Sequence, residues 1–203
     1  DRYSCGCTMR WQRKDYIGNA PETARKLIGS ILVHETPEGI LKGRITECEA
    51  YGGFLDGKPD DAAHCYKGMT ERTRAMFDIG GHVYIYLIYG MYLCMNVVCG
   101  PAGTGSGVLL RAIQPLEGIE IMKKNRPRAK GRLLTAGPAR LTMAMGIDKT
   151  MYGMDLTSGP LYIESGNAPV EVECTPRINI DYAENGRTFP WRFVLKGSPW
   201  VSR

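Results

Sequence analysis

The sequence is poor in the residues that hold metals or build nucleophile triads. Only three histidines occur in 203 residues, and no HExxH, no CxxC pair and no Ser-His-Asp spacing appears. The cysteine count is seven, an odd number. Cys5 and Cys7 are closely spaced, but no second pair or nearby histidine completes a zinc set, so buried or incidental free thiols in a reducing compartment are expected. No apolar run reaches the roughly 18 residues of a membrane helix, and no membrane partner is expected. The opening Asp1-Arg2-Tyr3-Ser4-Cys5 lacks a charged-then-apolar signal layout. It also lacks an initiator Met, so the true start is expected upstream. Gly103-x-Gly105-x-Gly107 lies between strands, without the strand-to-helix setting of a nucleotide motif. Internal repeats and splitting linkers are absent too. Neither a metal nor a cofactor is expected.

What remains is an ordinary globular composition, 43% hydrophobic and 23% charged, with a net charge of +5. That charge is compatible with a polyanion partner without proving one. Asn19-Ala20-Pro21-Glu22 reads as a helix cap followed by an early proline, with Gly29 as the stop. Strands are expected over Ser30 to His34 and Ile40 to Tyr51, around a turn at Thr36 to Gly39. Short helices are expected at Asp60 to His64 and Glu71 to Phe77. Further on come a strand from Gly107 to Ile113, helices over Leu116 to Lys124 and Pro138 to Met145, and strands near Leu161 to Glu164 and Trp191 to Lys196. Hairpins dominate and helices are inserted. The expected fold is a single α+β domain spanning residues 1–203: a curved, largely antiparallel sheet with surrounding helices and a protruding β-hairpin. Residues 1–20 are read as an irregular N-terminal extension.

The stretch from Val83 to Val98 carries four of the eleven tyrosines. Two β-prone runs meet at Tyr89-Gly90-Met91-Tyr92, a hairpin tip that would hold large apolar side chains in solvent. Such side chains need something to enter, and a gap between stacked bases suits them. Strict alternation along Arg44 to Tyr51 puts Glu47, Glu49 and Tyr51 on one face with Ile45. That pair of glutamates reads either as a catalytic carboxylate site or as a solvated strand end paired to a cation. Arg111 interrupts an apolar strand and needs an anionic partner, for which Glu49 is a natural candidate. His64 reads as a pocket wall, a general acid or a satisfied surface residue. Six cations from Lys123 to Arg132, with no acid among them, read as a mobile solvated loop or a phosphate-contacting one.

The segments ECEAYGG (47–53), DDAAHCYKG (60–68), HVYIYLIYGMYLCMNVV (82–98), GVLLRAIQPLEG (107–118), AGPARL (136–141) and GSPWVSR (197–203), taken in order, resemble the alkyladenine or 3-methyladenine DNA glycosylases. The resemblance runs from about Ala24 to Arg203. It implies an enzyme that kinks double-stranded DNA from the minor groove, flips out a damaged purine and hydrolyses its N-glycosidic bond. By position, it casts Glu49 as the base that activates water, with Arg111 and the backbone carbonyl of Ile178 helping to hold that water. Tyr51, His64 and Tyr86 become walls around the flipped base. Asn96 becomes the amide that crowds a guanine amino group. Tyr89 fills the vacated stack, and Met91, Tyr92 and Leu109 are grouped with it as DNA contacts. The resemblance also implies a monomer working beside the genome, in a bacterial cytoplasm or a nucleus. The chain departs from the family pattern in a longer loop after Tyr51, in Cys65 after the pocket histidine, and in the basic stretch.

The physical chemistry agrees. Flipping a base costs a few kcal/mol, and a tyrosine wedge restores part of the lost stacking. Aromatic walls favour an electron-poor alkylated purine by cation–π attraction. A glutamate that positions water and faces the developing sugar cation supplies the remaining demand. A lysine nucleophile is unnecessary, so hydrolysis without strand cleavage is expected. A two-residue tip would turn Tyr86 and Asn96 to opposite faces; if both line one pocket, the tip has three residues or a strand carries a bulge. The alternatives are a non-catalytic nucleic-acid module that stacks bases on its tyrosines and a protein-interaction domain with an aromatic hairpin.

Overall fold

The computed structural model describes residues 8–202, so Cys5 and Cys7 lie outside the described residues. Helix α1 (Ala20–Leu27) begins where Asn19 accepts the Glu22 N–H at 2.9 Å. It ends before Gly29, whose φ of 86° takes the left-handed turn. Strands β1 (Ile31–Thr36) and β2 (Gly39–Tyr51) form an antiparallel hairpin. A miniature hairpin, β3 (Phe54–Leu55) and β4 (Lys58–Pro59), follows. Next come β5 (Val83–Ile88), β6 (Tyr92–Cys99) and β7 (Ser106–Glu117), then α2 (Ile119–Asn125) and α3 (Pro138–Met145). The chain closes with β8 (Leu161–Glu164), β9 (Val172–Thr175) and β10 (Arg192–Leu195).

One antiparallel sheet runs β5-β6-β7-β2-β1-β8. The second half of β2 trades β1 for β10, which pairs Arg192 to Val194 with Glu49 to Glu47 and carries β9 on its other edge. Helix α1 packs on β2, and α3 packs on β6 and β7. The core between them includes Leu27, Leu41, Ile45, Leu110, Ile113, Leu141 and Met145, all essentially without exposure. The fold is therefore the expected single α+β unit. No helix among the described residues is long and apolar enough to cross a membrane.

Local expectations fail where tertiary contacts override them. Asp60 to His64 forms turns rather than a helix, because the Asp60 carboxylate is committed elsewhere. It accepts from Gly52 N–H at 2.9 Å and pairs with Arg177 at 2.7 and 2.8 Å. The helix expected from Leu116 starts only at Ile119, since β7 keeps pairing with β2 as far as Glu117. Of the described N-terminal residues, Arg13–Tyr16 form a short 3-10 helix, Trp11 donates its N–H to the Ile163 carbonyl at 2.7 Å, and both Trp11 and Tyr16 join the core. Cys48, Cys65, Cys94 and Cys99 are buried free thiols, and Cys174 is an exposed one.

Candidate active site

The second half of β2, which carries Glu47 and Glu49, is shaped by a break in its alternation. The β2–β7 register shifts between Ile45 and Glu47 and again between Glu47 and Cys48. Ile45 therefore turns into the core with Cys48 and Ala50, and Glu47 and Glu49 meet Arg111 instead. The expectation that Ile45 shares their face is corrected by this bulge. Ile113 lies in the core beside Leu110 and Val108, while Arg111 faces the carboxylates.

Both carboxylates are fully enclosed. Glu49 Oε1 accepts from the Tyr51 hydroxyl at 3.0 Å and from Arg111 Nη1 at 3.4 Å, while Oε2 accepts the Ile178 N–H at 2.6 Å. An ionised carboxylate has about four acceptor positions, so a free one remains on Oε2. Ile178 thus touches Glu49 through its amide; the resemblance implies that its carbonyl helps hold the water. Glu47 is held by Arg192 Nε at 2.6 Å, Arg111 Nε at 3.3 Å, and the amide and hydroxyl of Ser202 at 2.8 and 2.9 Å. Burial pushes its pKa up, but Arg111, Arg192 and the Ser202 amide together hold it below the ordinary value. Burial works against the Arg111 charge, and Glu49 and Glu47 more than restore it.

Glu49, Arg111 and Ser202 border a cavity of about 580 Å³, a size typical of small-molecule sites. Glu49, Tyr51, His64, Tyr86, Asn96, Leu109, Arg111 and Ile178 all line it, and no lysine is among its described lining residues. Tyr51 is fixed by its bond to Glu49 and by Arg177, whose guanidinium lies 4.7 Å from the ring centroid. Burial and the Glu49 charge keep its phenol protonated. His64 and Tyr86 touch edge to face at 4.4 Å and make one continuous wall. His64 Nδ1 lies 3.2 Å from the Tyr84 hydroxyl. Burial, aided by Arg72, lowers its pKa and favours the neutral ring. Asn96 is buried and donates to the Tyr84 carbonyl at 3.3 Å. Leu109, grouped with the DNA contacts in what the resemblance implies, is buried and lines the cavity.

The hairpin settles the register question. Ile88 pairs with Tyr92, so the tip is the three residues Tyr89-Gly90-Met91, and Tyr86 and Tyr84 lie opposite Cys94 and Asn96. All four therefore share the cavity face. At the tip, Tyr89 is 85% exposed with a φ of 50°, and Met91 and Tyr92 are exposed beside it. The basic stretch is partly committed to the protein itself. Lys123 and Lys124 pair with Glu120 and Glu38, Arg126 binds the Leu133 and Leu134 carbonyls, and Arg132 binds that of Val201. Arg128 and Lys130 stand exposed.

Comparison with known proteins is decisive at this point. A family model described as "Methylpurine-DNA glycosylase (MPG)" matches residues 14–199. The chain belongs to this methylpurine-DNA glycosylase family. Relatives named "Putative 3-methyladenine DNA glycosylase" include one from Bacillus cereus (strain G9842), 45% identical over 93% of this chain and 96% of its own length. Another, from Methanocella arvoryzae, is 46% identical over 90% of both chains, and one from Alkaliphilus oremlandii is 42% identical over 96% of this chain and 100% of its own. As a member of the methylpurine-DNA glycosylase family, the chain is a monofunctional DNA glycosylase and a hydrolase of DNA repair. That sets aside the non-catalytic and interaction-domain alternatives.

Sequence reasoning missed several residues of this glycosylase site. Arg177 links Asp60, the Ala50 carbonyl and the Gly186 carbonyl at 2.7 to 2.8 Å, next to Ile178. Tyr84 and Tyr182 line the cavity, and Ser202 closes on Glu47. Ser202 had a usable signal in the GSPWVSR segment, and so did Tyr84, which sits in HVYIYLIYGMYLCMNVV two residues before Tyr86.

Proposed function

We propose that the chain excises alkylated and deaminated purines from duplex DNA, acting as a monomer, by hydrolysis at a base flipped into this cavity. The observation that carries the reading is one enclosed carboxylate, Glu49, with a free acceptor position at the floor of a cavity walled by aromatic rings. Glu49 takes a proton from a water as that water's oxygen bonds to the anomeric carbon. The carbon–nitrogen bond breaks, its electron pair leaves with the purine, and an abasic site remains. A purine methylated at N3 or N7 carries positive charge and leaves as a neutral base. A neutral lesion such as hypoxanthine leaves as its anion and takes a proton from solvent. In both cases the enzyme's work is positioning the water and facing the sugar's developing charge with a fixed negative one.

Tyr51 on one side, and His64 with Tyr86 on the other, offer ring faces to an electron-poor base. The neutral state of His64 adds no repulsion to a cationic lesion. Asn96 crowds the position of a guanine amino group, and Tyr89, with Met91 and Tyr92 beside it, fills the gap left in the stack. The test is a panel of duplexes, each holding 3-methyladenine, 7-methylguanine, hypoxanthine or ethenoadenine, assayed for free base. Release from at least one lesion and none from undamaged duplex is expected. Absence of free base from every lesion overturns the reading.

A further inference from the structure

Ser202 stands where three parts of the catalytic floor meet. Its hydroxyl donates to Glu47 Oε2 at 2.9 Å and accepts from Arg111 Nη2 at 3.3 Å, while its amide donates to Glu47 Oε1 at 2.8 Å. The strap that carries it is tied down independently. Thr46 donates to the Trp200 carbonyl at 2.5 Å, and Arg132 donates to that of Val201 at 2.9 Å.

All three Arg111 nitrogens are then occupied at similar, long distances: Nε on Glu47 at 3.3 Å, Nη1 on Glu49 at 3.4 Å and Nη2 on Ser202 at 3.3 Å. No single contact fixes the guanidinium; the set of three does. A free arginine beside a carboxylate tends to close on it with two parallel bonds. Closing that way on Glu49 would fill its remaining acceptor position and cancel the charge intended for the sugar. Glu47 and Ser202 draw two of the three nitrogens away and oppose that collapse.

We infer that Ser202, acting with Glu47, is a positioning residue that keeps Arg111 spread across the site so that Glu49 stays open to water. This rests on the reading of Glu49 as the base. It adds the segment after β10 to the machinery: Ser202 also lines the cavity, and the role inferred for it is exerted through Arg111.

The test compares Ser202→Ala and Ser202→Thr with wild type, measuring the single-turnover excision rate, the affinity for lesion duplex and the melting temperature. Displacing a positioned group typically costs up to about 100-fold in rate. Ser202→Ala is expected to excise about 10- to 100-fold more slowly, with lesion affinity unchanged, and Ser202→Thr, which keeps the hydroxyl, is expected to recover the rate. Should the alanine variant fail to fold, Ser202→Cys keeps the size, weakens the bond and makes the same comparison. In a Glu49→Gln background, Ser202→Ala is expected to cost nothing further, because both act through one water. A wild-type rate in Ser202→Ala, or an equal loss of rate in the threonine variant, overturns the role of Ser202. A wild-type rate in Glu49→Gln alone overturns the reading of Glu49, which separates the two failures.

Discussion

Tyr89 is held in a left-handed backbone conformation with its ring in solvent, and if it fills the vacated stack as proposed, replacing it should move stability and binding in opposite directions. Its φ of 50° lies in the left-handed region, and 85% of its surface is exposed. A non-glycine residue there costs about 1–2 kcal/mol, and the exposed ring returns little of that in the free protein. Tyr89→Gly relieves the strain but gives back about 0.5–1 kcal/mol through the entropy of the unfolded chain. The net gain should be at most about 1.5 kcal/mol, which is a rise of a few degrees in melting temperature for a chain of this size. Asn, which tolerates the left-handed region, should behave similarly. Against DNA the sign reverses. Aromatic stacking on a base contributes about 1–3 kcal/mol, so lesion-duplex affinity should fall by about 5- to 150-fold. Thermal denaturation and a lesion-duplex titration at one fixed salt concentration read both quantities. A lower melting temperature together with unchanged affinity would refute the argument that Tyr89 is strained and waiting for a gap in the stack.

Three further expectations follow from the site. Asn96→Ser should raise excision of guanine lesions relative to adenine lesions by emptying space at the cavity wall; an unchanged ratio in paired release assays counts against the crowding role. Arg177→Met leaves the fully buried Asp60 carboxylate without its cation, and should cost about 3–5 kcal/mol by chemical denaturation; a loss below about 1 kcal/mol would mean the Asp60–Arg177 pair is not holding the loop that carries Ile178. Glu47 has a folded pKa below its unfolded value of about 4.5, so its contribution is complete above that value and is lost as pH falls through the folded one. Melting temperature should therefore drop as the pH goes below about 4.5, and Glu47→Gln should flatten part of that drop; parallel pH profiles for the two proteins would contradict it.

Elements governed by local chemistry were readable from the chain. The Asn19 cap, the Pro138 to Met145 helix between Gly137 and Gly146, and the tyrosine hairpin all carry their signals in adjacent residues. The register of that hairpin was legible only as a condition, because a two- or three-residue tip fits the same letters. The pairing of Arg111 with Glu49 followed from the cost of an isolated buried charge. The bulge around Thr46 was invisible, since nothing in Arg44-Ile45-Thr46-Glu47 marks which residue leaves the ladder. It turns Ile45 into the core while Glu47 and Glu49 meet Arg111. Asp60 looked like the start of a helix because its long-range partner, Arg177, lies 117 positions away. Ser202 and Arg192 reach Glu47 from 155 and 145 positions away, so their convergence on that carboxylate could be read only from the folded chain.

The most direct measurement is single-turnover base release by Glu49→Gln, set beside its affinity for the same lesion duplex. The amide keeps the size and can still accept the Ile178 N–H, while losing the charge and the ability to take a proton. General-base catalysis contributes about 100- to 10,000-fold, so a rate lower by that range is predicted, with lesion binding close to wild type. Release within a few-fold of wild type would contradict the claim that Glu49 activates the attacking water.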